Sequence, residues 1–222
     1  MSIRVQRKRA DAYQHGDLRH APIQAGLKLL AEGGLPALSL RAAAQLAGVS
    51  HAAPYRHFKD KEALVAAIAE EGFRLLTRHM RDAVATCGDT DLLVRLRASG
   101  VGYVAFAVEN PGYFRVIFGG AVVAPGTYPG LDQAGAEAYA VLRDIVSEGI
   151  AAGRLRAGDP DQLSLAAWSM VHGLGMLIVD GNVPAALVAT ATQRAALTEG
   201  LVRLLEDGVT APKVSGRART PR

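Results

Sequence analysis

Apolar residues recur along this chain at the three- and four-residue spacing of amphipathic α-helices. No segment alternates convincingly between apolar and polar positions, as a half-buried strand would. In the first helical pattern Ile23, Leu27, Leu30 and Ala31 fall on one face. The Glu-Gly-Gly sequence that follows is expected to end this helix, because glycine readily adopts the left-handed conformation of a C-terminal cap.

Glycine, proline and aspartate divide the rest of the chain into further helices. Ser39 can cap a short helix over residues 40–47, which Gly48 ends, and another short helix contains Tyr55 and Phe58. Longer helices are predicted over residues 62–86, 92–108, 113–118, 131–152, 161–179 and 185–207. The pattern predicts an all-α protein of about nine helices, with a small N-terminal unit and a larger bundle.

The two short helices meet the steric requirements of a helix-turn-helix, in which small residues let the helices cross closely and a glycine forms the turn. Ala43, Ala44 and Ala47 supply the small face, Gly48 supplies the turn, and Ser50 can cap the second helix. The second helix then presents polar and basic side chains from its start. This arrangement is typical of a surface that binds a polyanion.

Pro54 is unexpected in such a helix, because proline lacks a backbone N–H and costs about 3 kcal/mol in a helix interior. In the first turn of a helix the N–H has no intrahelical partner, so most of this cost disappears. The position of Pro54 therefore predicts that regular helix begins near His51.

The net charge of +4 conceals an asymmetry along the chain. Residues 1–61 carry a net charge of +6, residues 62–210 carry −6, and residues 211–222 carry +4. A basic N-terminal block beside an acidic remainder favours a polyanion-binding face at one end of the molecule. Basic arms and tails are also often merely solvated, so charge alone does not decide between the two interpretations.

Cysteine usage and the terminal sequences indicate a cytoplasmic protein. Cys87 is the only cysteine, so no internal disulfide is possible, and a reducing compartment is indicated. The basic N-terminus has no apolar run behind it and does not resemble a signal peptide. Residues 163–179 approach the length of a membrane span, but they include Ser164, Ser169 and His172, so a buried helix is the better interpretation.

The segment LAGVS…YRHFKDKEAL resembles the signature of the TetR/AcrR family of transcriptional regulators, and the match extends over residues 17–65. The segment WSMVHG, with Trp168 and His172-Gly173, is similar to that of a family subset named for Trp-His-Gly. The resemblance implies a basic flexible arm over residues 1–16 and a three-helix DNA-binding domain over residues 17–61. It also implies an effector-binding and dimerisation domain over residues 62–210, before a disordered basic tail over residues 211–222.

The resemblance also implies which side chains contact double-stranded DNA. Arg41 matches a position that often reaches a base edge, and the residues from His51 onward face the major groove. Lys61 matches a phosphate clamp that Lys59 can assist, since phosphate contacts fix position while base contacts read sequence. The DNA-binding set is Arg41, Ser50, His51, Ala52, Ala53, Tyr55, Arg56, His57, Lys59 and Lys61.

The chain departs from the family pattern at two places. Residues 52–54 are Ala-Ala-Pro, where many members have Gly-Thr-Leu, so the threonine hydroxyl contact is absent and Ala52 or Ala53 is left to contact a thymine methyl group. Pro22 lies inside what is usually the first helix, which is therefore expected to start or to kink there.

The family resemblance further implies a small-molecule effector, for which a largely apolar or aromatic compound is expected, and a homodimer on a palindromic operator. Core packing is the alternative explanation for the aromatic residues and for the buried histidine. Candidate pocket residues are Tyr103, Phe106, Phe114, Phe118, Trp168 and His172. Candidate dimer residues are Leu197, Leu201, Leu204 and Leu205, with the Ala- and Gly-rich helix before them.

Two other classes of function are alternatives to a DNA-binding regulator controlled by an effector. The chain contains none of the glycine-rich nucleotide-binding, Walker, G-x-S-x-G or H-E-x-x-H motifs, and its six histidines show no convincing metal-ligand spacing. An enzyme, a metal site or a bound cofactor is therefore not predicted. A regulator without effector control, or a domain that binds only a protein partner, remains the second alternative.

Overall fold

The computed structural model describes residues 15–119 and 124–209, so most of the predicted N-terminal arm and the predicted tail lie outside the described residues. Within those ranges the chain forms nine α-helices, one turn of 3-10 helix and no strand, which confirms the all-α prediction. The helices are α1 His15–Ala37, α2 Leu40–Leu46, α3 Lys61–Cys87, α4 Leu92–Glu109, α5 Pro111–Phe118, α6 Pro129–Ala151, α7 Pro160–Val179, α8 Ala185–Val188 and α9 Ala191–Val209; the 3-10 turn is Pro54–Arg56.

Helix α1 differs from its prediction at both ends. It begins at His15 and contains Pro22, so of the two alternatives expected at Pro22, a helix start or a kink, the start is wrong. It continues to Ala37, but Gly34 interrupts it with a left-handed φ of 64°, as the Glu-Gly-Gly sequence indicated. Ile23 lies in the core as predicted, whereas Ala31 is exposed.

The N-terminal unit is closed by small residues and a glycine turn. Ser39 caps α2 by accepting a hydrogen bond from the backbone N–H of Ala42 at 3.0 Å. Ala43 and Ala44 are fully buried, and Gly48 adopts a φ of 66°, so the predicted small face and turn are confirmed. Phe58 is 2 % exposed and anchors the chain after the turn in the same core.

Helix α3 runs from this unit into the larger bundle. Asp60 caps its start by accepting from the Ala63 N–H at 2.8 Å, and left-handed Gly88 follows its end. Leu64, Ile68 and Leu76 are buried, and Leu75 is partly buried. Because α3 packs against α1, α4, α5 and α6, it is in contact with both parts of the protein.

The predicted helix over residues 185–207 is wrong, because the chain forms two helices, α8 and α9, with a break at Ala189 and Thr190. Thr190 Oγ1 accepts from the backbone N–H of Gln193 at 3.1 Å, and the Gln193 side chain accepts from the Thr190 N–H at 2.9 Å. This reciprocal pair is a capping box, which stabilises a new helix start at this point.

Helix α7 is, within the described residues, the helix that is long and apolar enough to cross a membrane by length and composition. It packs against α4, α6 and α9, and Ser164, Val171 and Leu174 are buried between these neighbours. These contacts agree with the interpretation of α7 as a helix of the bundle.

A basic turn and an apolar cavity as candidate functional sites

The predicted second helix of the helix-turn-helix is instead a hydrogen-bonded turn from Ser50 followed by a single 3-10 turn, Pro54–Arg56; residues 50–57 are called the basic turn below. The Ser50 carbonyl accepts from the Ala53 N–H at 2.9 Å, and the Pro54 carbonyl accepts from His57 and Phe58 at 3.0 and 2.9 Å. Pro54 has no N–H to donate to Ser50, so the α-helical bond expected there cannot form and the backbone tightens. The prediction of regular helix from His51 is therefore wrong, and the predicted Ser50 side-chain cap is not formed.

The turn nevertheless directs most of the candidate DNA-binding side chains outward. Pro54 and Phe58 are buried beneath it, while Tyr55 between them is 60 % exposed. The 3-10 turn packs against α2, which carries Arg41. Ala53 and Lys61 are partly exposed, and the exposed members of the set are Arg41, Ser50, His51, Ala52, Tyr55, Arg56, His57 and Lys59.

The two lysines expected at phosphates have partners inside the protein. The Lys61 ammonium donates a hydrogen bond to the backbone carbonyl of Leu35 near the end of α1. The Lys59 ammonium lies 5.3 Å from the ring centroid of Tyr128, which precedes α6, and 3.9 Å from Asp60.

A cavity of about 290 Å³ lies between α3, α4, α6, α7 and α9, with Phe118 of α5 at its wall. Of the six predicted pocket residues, Tyr103, Phe118 and Trp168 line it. Phe106 and Phe114 are fully buried core residues outside the lining, and His172 lies behind Tyr103. The other lining residues are Phe73, Leu76, Met80, Leu96, Ser99, Gly100, Gly135, Ala138, Tyr139, Leu142, Ala167, Val171 and Val202.

The Tyr103 hydroxyl joins α4 to α7 at the cavity wall. Its oxygen is 2.8 Å from His172 Nδ1 and accepts a hydrogen bond from Trp168 Nε1 at 3.1 Å. Burial raises the pKa of Tyr103 and lowers the pKa of His172, because removal from water disfavours the charged form of each. The phenol and the imidazole are therefore both neutral at physiological pH.

Aromatic contacts hold this wall against α5. The Phe118 ring lies 4.8 Å from the His172 ring and 6.0 Å from the Trp168 ring, and Phe114 packs on Phe118 at 5.2 Å. The edge-on and tilted arrangements are those that aromatic pairs prefer. Trp168 and His172, four residues apart on one face of α7, therefore both contact the Phe118 ring, although only Trp168 lines the cavity.

The sequence interpretation missed the contribution of α3 and α6 to the cavity. Leu76 and Met80 of α3 fit the pattern of ordinary core positions, and periodicity does not distinguish a core residue from a cavity wall. Gly135, a glycine inside α6 that no turn requires, was the available signal; a Cβ atom there would meet only the Phe73 ring, at 3.7 Å.

A polar cluster joins the N-terminal unit to the bundle. The Gln24 side-chain amide of α1 donates to the Tyr113 hydroxyl of α5 at 2.8 Å and to Glu71 of α3 at 3.0 Å. Tyr113 donates to the same Glu71 oxygen at 2.5 Å, and His20 lies 3.3 Å from the other oxygen. Three helices from both parts of the protein therefore meet at one carboxylate.

The apolar surface near the C-terminus differs from the predicted dimer stripe. Leu197, Leu201 and Leu205 pack against the hydrophobic core, whereas Leu204 is 67 % exposed. On the neighbouring helix α7 the exposed large side chains are Leu165 and Leu177. Gly173 of α7 and Gly200 of α9 have open space at their Cα atoms.

Comparison with known proteins identifies both parts of the chain. Residues 23–68 match the family "Bacterial regulatory proteins, tetR family", and residues 96–206 match the family "Tetracyclin repressor-like, C-terminal domain".

Three solved structures resemble the whole chain. A protein of unknown function from Rhodococcus sp. RHA1 has a TM-score of 0.71 and 31 % identity over 91 % of this chain and 100 % of its own. A TetR family transcription regulator from Marinobacter aquaeolei VT8 has a TM-score of 0.70 and 21 % identity, covering 89 % and 97 %. The fatty acid degradation regulator FadR from Bacillus halodurans has a TM-score of 0.70 and 15 % identity, covering 88 % and 97 %. The last two show the shared fold.

Proposed function

The chain belongs to the TetR family and is a DNA-binding transcriptional regulator, and from this premise we propose that it is a repressor released from its operator by a small molecule in the cavity. The observation that carries the effector part of the proposal is the cavity itself. It is lined mainly by apolar side chains, and its wall includes α3, the helix that leads directly from the DNA-binding unit. The proposal includes no catalytic step, metal or cofactor, and places the protein in the cytoplasm.

We propose that residues 17–61 are the DNA-binding domain and residues 62–210 the effector and dimerisation domain. The exposed turn from Ser50 to His57 would enter the major groove, with Arg41 beside it on α2. Lys59 and Lys61 would contact phosphates, since an ammonium is a flexible point charge suited to that role. Ala52 is exposed and lies where a thymine methyl group could contact it.

We propose that the protein is a homodimer through α7 and α9. Leu204, Leu165 and Leu177 expose large apolar side chains on these adjacent helices. Gly173 and Gly200, with open space above them, would allow a second copy to approach the helix backbones closely. A twofold axis through this face would present two basic turns to the two halves of a palindromic operator.

The proposed release mechanism uses helices that contact both sites. Leu76 and Met80 of α3 line the cavity, and Lys61 at the start of the same helix is a candidate phosphate contact. An effector that binds one position of α3 better than another would shift the separation of the two basic turns. Only such a difference in affinity can change the affinity for DNA.

The proposal is tested by a gel shift with the DNA immediately upstream of the protein's own gene. The double variant Arg56→Ala and Lys61→Ala should abolish binding while helicity and dimerisation persist. The single variant Arg56→Ala, if Arg56 contacts a phosphate, should reduce the slope of log K against log salt by about one unit. Arg81→Ala, which removes an exposed arginine from the middle of α3, is the matched control and should bind like the wild type.

The same experiment addresses the second candidate function, a regulator that acts only through a protein partner. Wild-type protein with no affinity for upstream DNA at low salt would favour that alternative. DNA binding that no cavity ligand changes would instead favour a regulator without effector control.

A further inference from the structure

The described wall of the cavity carries no charged side chain. Its sixteen described residues are apolar except for glycines, one serine, two tyrosines and one tryptophan. An ionised ligand would lose its hydration on entering without gaining an opposite charge, which is strongly unfavourable. The described wall therefore favours the binding of a neutral molecule over that of an ionised one.

The volume of the cavity limits the size of that molecule. At about 290 Å³ it lies near the lower end of the range for ligand pockets, which begins at about 300 Å³. A closed apolar cavity of about 150 Å³ is sufficient to hold benzene. The volume therefore suits a compact hydrocarbon of about two six-membered rings.

The donors on the described wall all have acceptors within the protein. Ser99 donates to the Leu96 carbonyl at 2.7 Å, and Tyr139 to the Asp161 carbonyl at 3.4 Å. Trp168 Nε1 donates to Tyr103 Oη at 3.1 Å. The last donor on the wall is the Tyr103 hydroxyl, whose acceptor is His172 Nδ1 at 2.8 Å.

The assignment of the Tyr103 proton follows from the chemistry of a neutral imidazole, which has one donor nitrogen and one acceptor nitrogen. Tyr103 is 4 % exposed, and Nδ1 of His172, 2.8 Å from its hydroxyl oxygen, is the acceptor within reach of its proton. Burial lowers the pKa of His172, which keeps the ring neutral and Nδ1 free to accept. Tyr103 Oη then accepts once from Trp168 and retains one lone pair.

We infer that the effector is a neutral alcohol or phenol of about two rings, whose hydroxyl donates a hydrogen bond to the remaining lone pair of Tyr103 Oη. This inference rests on the proposed function, because it takes the cavity to be the effector site. A carbonyl compound of the same shape is disfavoured, since it could accept from Tyr103 only by breaking the bond to His172. A carboxylate is disfavoured further by its charge.

A matched set of saturated bicyclic probes tests the inference: trans-2-decalol, trans-2-decalone and decalin-2-carboxylate. Trp168 is the only tryptophan of the chain and lines the cavity, so its fluorescence reports binding directly. We expect the alcohol to bind on the order of fivefold more tightly than the ketone. The carboxylate should bind more than about tenfold more weakly than the alcohol.

Two variants assign the preference to one hydroxyl. Tyr103→Phe should reduce the alcohol-to-ketone affinity ratio to about one, since a phenylalanine has no acceptor. Tyr113→Phe removes another buried, hydrogen-bonded phenol outside the cavity and should leave the ratio unchanged. A circular dichroism melt verifies that each variant is folded. If Tyr103→Phe does not fold, the alcohol-to-ketone affinity ratio of the wild-type protein alone decides whether the inference stands.

The inference is overturned if the ketone or the carboxylate binds as tightly as the alcohol. It is also overturned if Tyr103→Phe retains the alcohol preference, or if none of the three probes binds. These titrations contain no DNA, so their outcome does not depend on whether a ligand in the cavity controls DNA binding. An alcohol that binds as expected but leaves the affinity for upstream DNA unchanged would overturn the effector role and leave the ligand chemistry intact.

Discussion

The side-chain amide of Gln24 donates a hydrogen bond to the hydroxyl of Tyr113 across 89 residues of sequence, at a distance of 2.8 Å. Gln24 belongs to the first helix of the DNA-binding unit, and Tyr113 immediately precedes Phe114, which packs on the cavity residue Phe118. One hydrogen bond therefore joins the helix that supports the basic turn to the helix that supports the cavity wall.

We expect Tyr113→Phe to lower the free energy of unfolding by about 1–2 kcal/mol, because Gln24 and the Glu71 carboxylate both lose a partner in a partly buried site. Urea denaturation measures this change. Tyr55→Phe, which alters a largely exposed hydroxyl, is the control and should change stability by less than about 0.5 kcal/mol. Equal effects of the two substitutions would contradict the structural role of Tyr113.

Gly102 allows α3 and α4 to approach at backbone distance. A Cβ atom at this position would lie 2.5 Å from the His79 carbonyl oxygen and 2.8 Å from Met80 Cα, which no rotamer change can relieve. We expect Gly102→Ala to destabilise the protein by about 1–3 kcal/mol. Gly135→Ala, in a helix where the added methyl group meets only ordinary contacts, should instead stabilise it by about 0.5–1 kcal/mol. Thermal denaturation of the two variants distinguishes these outcomes.

A buried ion pair joins α4 to α9. Arg97 donates to Glu206 at 2.6 Å, and Glu206 is 5 % exposed. Arg97→Met should destabilise the protein by about 3 kcal/mol near neutral pH, because the buried carboxylate loses this cation. The double variant with Glu206→Met should recover most of the loss. A double variant no more stable than Arg97→Met alone would argue against the pair.

The Arg97–Glu206 pair also makes the free energy of unfolding depend on pH. The sign of this dependence follows from the pKa of Glu206. Burial raises this pKa above its ordinary value even though Arg97 lowers it. A carboxyl group with a raised pKa binds a proton on folding, so its contribution is most favourable at low pH and is lost as the pH rises through the folded-state pKa. The destabilisation caused by Arg97→Met should therefore be smaller at about pH 5 than at about pH 8. If Arg97→Met lowered the free energy of unfolding equally at both pH values, the prediction would be contradicted.

The exposed leucine of α9 should control the oligomeric state. We expect Leu204→Glu to convert a dimer to a folded monomer, because it places a charge in the centre of the proposed apolar interface. Leu46→Glu changes a leucine of similar type on α2 that is 44 % exposed, and should leave the dimer intact. Sedimentation velocity measures both. A dimeric Leu204→Glu variant would exclude this face as the interface.

Most of the fold could be predicted because its boundaries are marked by local chemistry. Asp60, Gly88 and Asp91 cap α3 and α4, and the observed ends lie within a residue or two of the predicted ones. The break before α9 was missed because the capping box at Thr190 lies inside an alanine-rich stretch that favours continuous helix.

The candidate sites could be predicted only in part. The basic turn was located by its spacing, but its conformation was not, because Pro54 is compatible with the first turn of either helix type. Three wall residues of the cavity were predicted from their aromatic character. The other wall residues could not be predicted, because a cavity forms where several packed helices leave a gap between them. The residue pattern within one helix does not show such a gap.

The contact between Lys59 and Tyr128 has a consequence for how tightly DNA can be held. Tyr128 immediately precedes α6, whose residues Gly135, Ala138 and Tyr139 line the cavity. If a phosphate takes Lys59, as proposed, it competes with the Tyr128 ring and with Asp60 for the same ammonium group. The contribution of Lys59 to the proposed affinity for DNA is thus the difference between its attraction to a phosphate and its attraction to Tyr128. Tyr128 directly precedes the helix that lines the proposed effector site.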